Sequence, residues 1–149
     1  MKIIVAAGAL KGSLSAEKTT AAIITGLARS GVSTNIVGMP IADGGDGTLE
    51  AFLSRGGTRV AVTVSDALGR QIKSAFGMLP NGAAVIEMAL AVGLGHLDRS
   101  EVTPENSLRA STYGLGELVS AALDHGARRI IITLFPYTTL FRSRSEERR

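Results

Sequence analysis

The sequence predicts an α/β fold: a Rossmann- or flavodoxin-like parallel sheet unit, then the start of a second α/β domain that opens with an antiparallel meander. Three observations carry this. Residues 2–39 run apolar, amphipathic, apolar, the order of a strand–helix–strand unit. Residues 58–88 switch to period-two alternation broken by two tight turns. A further amphipathic stretch over 112–125 then leads into another apolar run.

Taken in order, Lys2-Ile3-Ile4-Val5-Ala6-Ala7 is an apolar run closed by Gly8, the composition of a buried parallel strand. After the loop 8–14, Ser15 is a good N-cap for a helix over 16–29. Its Ala16, Thr20, Ile23, Ile24 and Leu27 share one face, and Gly31 ends it. Residues 34–39 form the second strand, and Pro40 with Asp43-Gly44-Gly45-Asp46-Gly47 a loop. A short helix over 48–54 stops at Gly56-Gly57. Val60, Val62 and Val64 alternate along a half-exposed strand over 58–65. Ala67–Arg70 turns the chain into a strand over 71–78, and Pro80-Asn81-Gly82 into another over 83–88. The segment around Pro104 has the composition of a loop. The helix over 112–125 turns Leu115, Leu118, Val119, Ala122 and Leu123 inward and ends at Gly126, and Arg129-Ile130-Ile131-Ile132 begins another buried strand.

The 149 residues are 45% hydrophobic and include 18 Gly and no Cys. That excludes a disulfide scaffold, a Cys-ligated zinc or iron–sulfur site, and an intrinsically disordered chain. No apolar run approaches the roughly 18–20 residues of a membrane span, and the opening residues lack a signal-peptide pattern, so a cytoplasmic protein with no membrane partner is expected. The net charge of +3 suggests an anionic partner. Up to Thr133, however, twelve basic residues face eleven acidic ones, and four Arg against two Glu in residues 134–149 supply most of the excess. Phe135, Tyr137 and Phe141 lie there too, as in an arm that binds nucleic acid. A plainer reading fits better. Thr133–Ser143 looks like the in-frame translation of a common short-read sequencing adapter, and Arg144–Arg149 like that of its complementary strand. The biological sequence is therefore expected to end at about Ile132, with 133–149 set aside and no nucleic-acid partner.

Three segments could carry chemistry. Lys11-Gly12-Ser13 follows the first strand, where an α/β sheet presents helix N-termini to ligands. Its Lys and Ser suit a phosphate or carboxylate, although an ordinary polar loop has the same composition, and the spacing is not that of a Walker A loop. Ala42-Asp43-Gly44-Gly45-Asp46-Gly47-Thr48 follows the second strand; its paired carboxylates suit a Mg²⁺–phosphate site or a base for a hydroxyl, beside the simpler reading of an Asp-Gly turn with a helix cap. Ser111-Thr112-Tyr113-Gly114 opens a helix with hydroxyls and free N–H groups, as does any Gly-rich helix entry. Glu87 is either a site carboxylate or a partner for Arg70, and His96 and His125 are isolated, in solvated or capping roles.

Together these segments resemble the N-terminal part of the glycerate kinase family, type I (the bacterial glycerate 2-kinase group). The resemblance rests on Lys11-Gly-Ser-Leu-Ser-Ala16, Ala42-Asp-Gly-Gly-Asp-Gly-Thr48, Leu68-Gly-Arg70, Val85-Ile-Glu-Met-Ala89, Thr112-Tyr-Gly-Leu-Gly-Glu-Leu118 and Arg128-Arg-Ile-Ile-Ile132, all in the family's order. It implies ATP-dependent phosphorylation of D-glycerate with Mg²⁺. Lys11 and Asp43 would be catalytic. Gly12, Ser13, Gly44, Gly45, Thr48, Arg70, Thr112, Tyr113 and Gly114 would bind substrate or phosphate, and Asp43 and Asp46 would hold the metal.

The antiparallel meander differs in kind from the opening strand–helix–strand unit, so residues 1–65 are expected in a first domain and 66–132 to begin a second, and the resemblance implies that the two are interleaved. Two departures stand out: Ala7-Gly8-Ala9 replaces the family's Pro-Asp-Ser, and Asp46 replaces its Glu. The family continues into a further Gly-rich loop after the strand at Ile132, so this chain is expected to be a fragment without turnover of its own. A non-enzymatic module that binds nucleotides or other anions is the alternative.

Overall fold

The computed structural model describes residues 2–10, 13–31 and 34–134. The fold is mixed α/β, as the sequence predicts, with one parallel sheet and one mixed sheet. In the first, β1 (Lys2–Val5) and β2 (Asn35–Gly38) pair in parallel, with Lys2 opposite Asn35 and Val5 opposite Gly38. The crossover is α1 (Ala16–Arg29), whose N-cap Ser15 accepts the Lys18 N–H through its side chain at 3.3 Å. Gly38 is what lets α1 approach. A Cβ there would stand 2.9 Å from Ile24 Cδ1 and 3.0 Å from Thr20 Cγ2.

Burial departs from the sequence expectation in this unit. Only Ala16, Thr19 and Thr20 of α1 are buried, whereas Ile23 is exposed. Ile4, expected inside a buried strand, is 57% exposed. The physical reason is breadth: two strands under one helix cannot enclose both faces of the sheet or the far half of the helix.

The second sheet has the order β3-β4-β5-β6, with β3 at Thr58–Ser65, β4 at Gln71–Met78, β5 at Ala83–Glu87 and β6 at Arg129–Thr133. The first two junctions are antiparallel and the third parallel. β3 pairs with β4 along its whole length, Thr58 opposite Met78 through Ser65 opposite Gln71. The change of sheet therefore falls before Thr58, where the period-two alternation begins. Thr133, the first residue of the adapter-like stretch, pairs with Glu87 at the end of β6.

Between β5 and β6 the chain forms α3 (Ala89–Val92), 3-10 turns at Leu94–His96 and Arg99–Glu101, α4 (Pro104–Arg109) and α5 (Tyr113–Asp124). The core lies between sheet and helices: Val64, Phe76, Ala84 and Ile86 meet Val92, Leu118 and Ala122, all buried. α4 corrects the expectation of a loop. Thr103 caps it by accepting the Asn106 N–H at 3.2 Å, and Pro104 sits in the first turn, where its missing N–H costs nothing. Leu123, expected inward, is instead 55% exposed, because the buried stripe of α5 runs through Gly114, Leu118 and Ala122.

α2 (Thr48–Leu53) joins the two sheets. It is connected to β2 by the acidic loop, yet it packs on the second sheet over Gly77, where a Cβ would come within 2.7 Å of Leu49 Cδ1 and 3.0 Å of Leu53 Cδ2. An ion pair between Glu50 and Arg59 of β3 adds to this seam. Among the described residues no helix is long and apolar enough to cross a membrane.

Candidate active site

Parallel pairing fixes where the first two candidate loops leave. Beyond β1 and β2 it continues through Met39 N–H to Val5 O at 2.8 Å and Ile41 N–H to Ala7 O at 2.9 Å. The loops after β1 and β2 therefore depart side by side from the carboxyl edge of the sheet, the edge at which open α/β sheets bind ligands. Lys11 and Gly12 lie outside the described residues. Ser13 is exposed on a tight turn, its N–H donated to Leu10 O at 2.9 Å.

The acidic loop is closed by its own groups. Asp43 Oδ1 accepts the Gly45 N–H at 3.1 Å, and the buried Thr48 hydroxyl donates to Gly45 O at 2.7 Å. Gly44 and Gly47 adopt φ of 95° and 88°, a left-handed conformation that suits glycine. Gly44 also passes against Leu134, whose carbonyl oxygen would be 2.8 Å from an added Cβ. The remaining fastening is Glu87. At 2% exposure, its Oε2 accepts the Leu49 N–H at 2.8 Å and its Oε1 the Gly47 N–H at 3.3 Å.

Glu87 thus caps α2 from the neighbouring sheet, a service that Gly47, the N-cap residue, has no side chain to perform. Burial pushes the Glu87 carboxyl above the usual carboxylate range; the Leu49 and Gly47 N–H groups pull the other way, and the nearby Asp46 carboxylate adds to the rise.

This arrangement sorts the predicted residues. The N–H groups of Gly45, Gly47, Thr48 and Leu49 are all engaged within the protein, as is the Thr48 hydroxyl. What the loop offers outward is the exposed carboxylates of Asp43 and Asp46. Among the described residues no three Asp, Glu, His or Cys side chains gather as a self-sufficient metal cage. Two hard oxygen donors do fit Mg²⁺, which is commonly held by one or two carboxylates together with substrate phosphates.

The other predicted residues gather farther along the second sheet. Arg70 donates from Nε to Asp66 Oδ2 at 2.7 Å, from one terminal nitrogen to Glu101 Oε1 at 2.7 Å, and from the other to His96 O at 3.1 Å. Glu87 is therefore not its partner. Asp66 is buried, which raises its carboxyl pKa, but the Arg70 and Leu68 N–H groups and the Arg70 guanidinium outweigh that and hold it below its ordinary value.

Thr112 and Tyr113 open α5 beside this turn, with Tyr113 69% exposed. Gly114 has a packing reason to be glycine: a Cβ would stand 1.8 Å from Ser65 O. Among the described residues, no hydrogen bond or ion pair links Arg70 or Tyr113 to the Asp43 loop. His96 Nε2 bonds Leu90 O at 3.1 Å, and His125 at the end of α5 bonds Ala121 O at 2.8 Å.

Sequence reasoning missed Asp66, Glu101 and Glu117, the last of which accepts the Ser65 N–H at 2.6 Å. Asp66 has a visible signal, an acid four residues before Arg70 around a Leu-Gly turn, and Glu117 lies within the Thr112–Leu118 stretch.

The class so defined is an α/β protein with paired loops at the carboxyl edge of a parallel sheet, one of them acidic, the edge at which such sheets bind ligands. The sequence model of the glycerate kinase family matches residues 3–134, and the chain belongs to that family. It is 42% identical over 134 residues to glycerate kinase of Bacillus subtilis (strain 168), covering 89% of this chain and 34% of the relative. It is 38% identical over 135 residues to glycerate 2-kinase of Escherichia coli (strain K12), again covering 89% of the chain and 34% of the relative. The crystal structure of a protein assigned as glycerate kinase 2 from Salmonella typhimurium LT2 superposes with a TM-score of 0.69 at 36% identity, over 89% of this chain and 36% of that one. The chain thus spans about a third of the length of the relatives it matches.

Proposed function

We propose that this chain supplies the first third of a cytoplasmic kinase that transfers a phosphoryl group from ATP to D-glycerate, with the 2-hydroxyl as the favoured acceptor. The observation that carries the reading is the family match over residues 3–134, which takes in the acidic loop. Phosphoryl transfer asks a protein mainly for positioning and for neutralisation of charge. Asp43 is suited to accept the proton of the attacking hydroxyl or to bind a metal: its carboxylate is exposed, and one oxygen is oriented by the Gly45 N–H. Asp46, exposed three residues on, is the second metal-binding carboxylate. Mg²⁺ bound there would neutralise phosphate charge. Lys11 and Ser13, on the adjoining loop, are assigned to the glycerate carboxylate or a phosphate.

Gly44, Gly45 and Thr48 serve this site by shaping the loop. Arg70, Thr112 and Tyr113 are assigned to a second ligand-facing stretch at the far end of the β3–β4 hairpin, and Gly114 serves it by letting α5 close on Ser65. Ala7-Gly8-Ala9, which brings no carboxylate to the loop, favours the alternative of an anion-binding module without catalysis.

The test joins residues 3–134 to the remaining two-thirds of the Bacillus subtilis relative and assays phosphoryl transfer from ATP to glycerate, with the 149-residue chain alone as control. We expect turnover from the joined protein, none from the chain alone, and a loss of at least about 100-fold in Asp43→Asn, in line with removal of a general base. Binding of ATP without turnover by the joined protein would favour the non-catalytic alternative.

A further inference from the structure

We propose that Glu87 is the positioning residue of the acidic loop: from the second sheet it sets where Asp43 and Asp46 stand relative to a ligand. The functional half of this inference rests on the kinase reading above; the mechanical half does not.

Three observations support it. First, Glu87 is spent on the loop. Each of its carboxylate oxygens accepts one backbone N–H of the α2 entry, Gly47 and Leu49, so neither is turned to solvent or to Arg70. Second, among the described residues no other hydrogen bond ties the loop to the second sheet, where its remaining neighbour is Leu134 against Gly44. The N-cap residue is glycine, and the bonds made by Asp43 and Thr48 both close on Gly45 inside the loop, fixing its shape but not its place. Leu49 and Leu53 seat the body of α2 on Gly77, which leaves the approach to the helix to be held by Glu87.

Third, the position is costly to fill. A buried carboxylate is ordinarily paired with a cation, as Asp66 is with Arg70. Among the described residues Glu87 has no such partner and lies near the Asp46 carboxylate. An uncharged residue would seat the helix body as well. A carboxylate is needed where two backbone N–H groups must be gripped at once.

By the same bonds, Glu87 occupies the N-terminus of α2, the place at which many α/β proteins hold a phosphate on free backbone N–H groups. The loop therefore works through its outward carboxylates and not as an amide cradle.

The test has two arms. In the 149-residue chain, hydrogen exchange of backbone amides is compared in wild type, Glu87→Gln and Glu87→Ala. Glu87→Ala should speed exchange at Gly47 and Leu49 about tenfold or more, with Gly45 following as the loop loosens, while the amides of Val64 and Phe76 keep their protection. Glu87→Gln retains one acceptor and should fall between. Unchanged exchange at Gly47 and Leu49, or an equal loss of protection across the whole second sheet, would overturn the positioning role.

In the joined full-length protein, the same variants should lower kcat about tenfold or more for Ala and less for Gln, with KM for glycerate within about threefold. A fall in KM affinity with kcat intact, or the same loss for Gln as for Ala, would count against it. An inactive wild-type joined protein would defeat the kinase reading alone, because the exchange arm does not depend on turnover.

Discussion

The two sheets are finished to different degrees. The β3–β6 sheet carries a helical layer that closes over Phe76, Ile86 and Leu118, whereas the β1–β2 sheet has one half-buried helix and leaves Ile4, Met39 and Ile41 exposed. The acidic loop issues from the less finished sheet but is fastened to the more finished one, through Glu87 and the seat of α2 on Gly77. Precision at a site comes from the rigidity of what supports it. Here the support and the point of attachment belong to different sheets.

Substitutions should separate the two sheets sharply. Phe76→Ala, at the centre of the closed core, is expected to cost about 3–5 kcal/mol, read as a large fall in the denaturant midpoint; a loss below about 1 kcal/mol would mean that this core is no tighter than its neighbour. Gly38→Ala should cost about 1–2 kcal/mol by crowding Ile24 and Thr20. Because the atoms it meets are ends of side chains, α1 should loosen while exchange protection in β4 and β5 stays unchanged.

The buried carboxylates should respond to pH in opposite senses. Asp66, held below its ordinary value, stabilises the fold above that value, and its contribution is lost as pH falls through its depressed folded pKa. Glu87, held above its ordinary value, contributes stability below that value and loses it as pH rises through its raised folded pKa. Unfolding curves across about pH 3 to 7 should therefore show Asp66→Asn with a flatter acid limb than wild type, and wild type losing ground to Glu87→Gln as pH rises. Parallel curves for all three would remove the contrast between the paired and the unpaired carboxylate. The smallest effect belongs to the open sheet: Ile4→Ala should stay within about 0.5 kcal/mol, as measured by the same denaturant midpoint.

The sequence shows most where the pattern is local. The helix over 16–29 and the strands over 58–65 and 71–78 are found at the residues predicted, because Ser15, the alternating valines and the Ala67–Arg70 turn mark their ends directly. α4 departs from the loop expected around Pro104 because proline, a breaker inside a helix, begins one when it follows the cap Thr103. The exposure of Ile4, Ile23 and Leu123 depends on how much structure lies across from them, which no periodicity records. The same limit applies at the site. The Gly-rich acidic loop is plain in the chain, and Glu87 stands out as a carboxylate ending an apolar strand, but the two are 38 residues apart at Leu49 and on different sheets, and no local pattern joins them.

The hold of Glu87 on the start of α2 has a consequence for the order in which the molecule is made. A chain emerging from the ribosome at about 5–20 residues per second displays the acidic loop seconds before β5 delivers Glu87, and later still before β6 pairs with β5. During that interval α2 is a six-residue segment with an open N-terminus, too short to persist without its tertiary seat. The loop that looks most specialised in the folded protein is thus a late product of biosynthesis, shaped only once strands made well after it have come to rest against it.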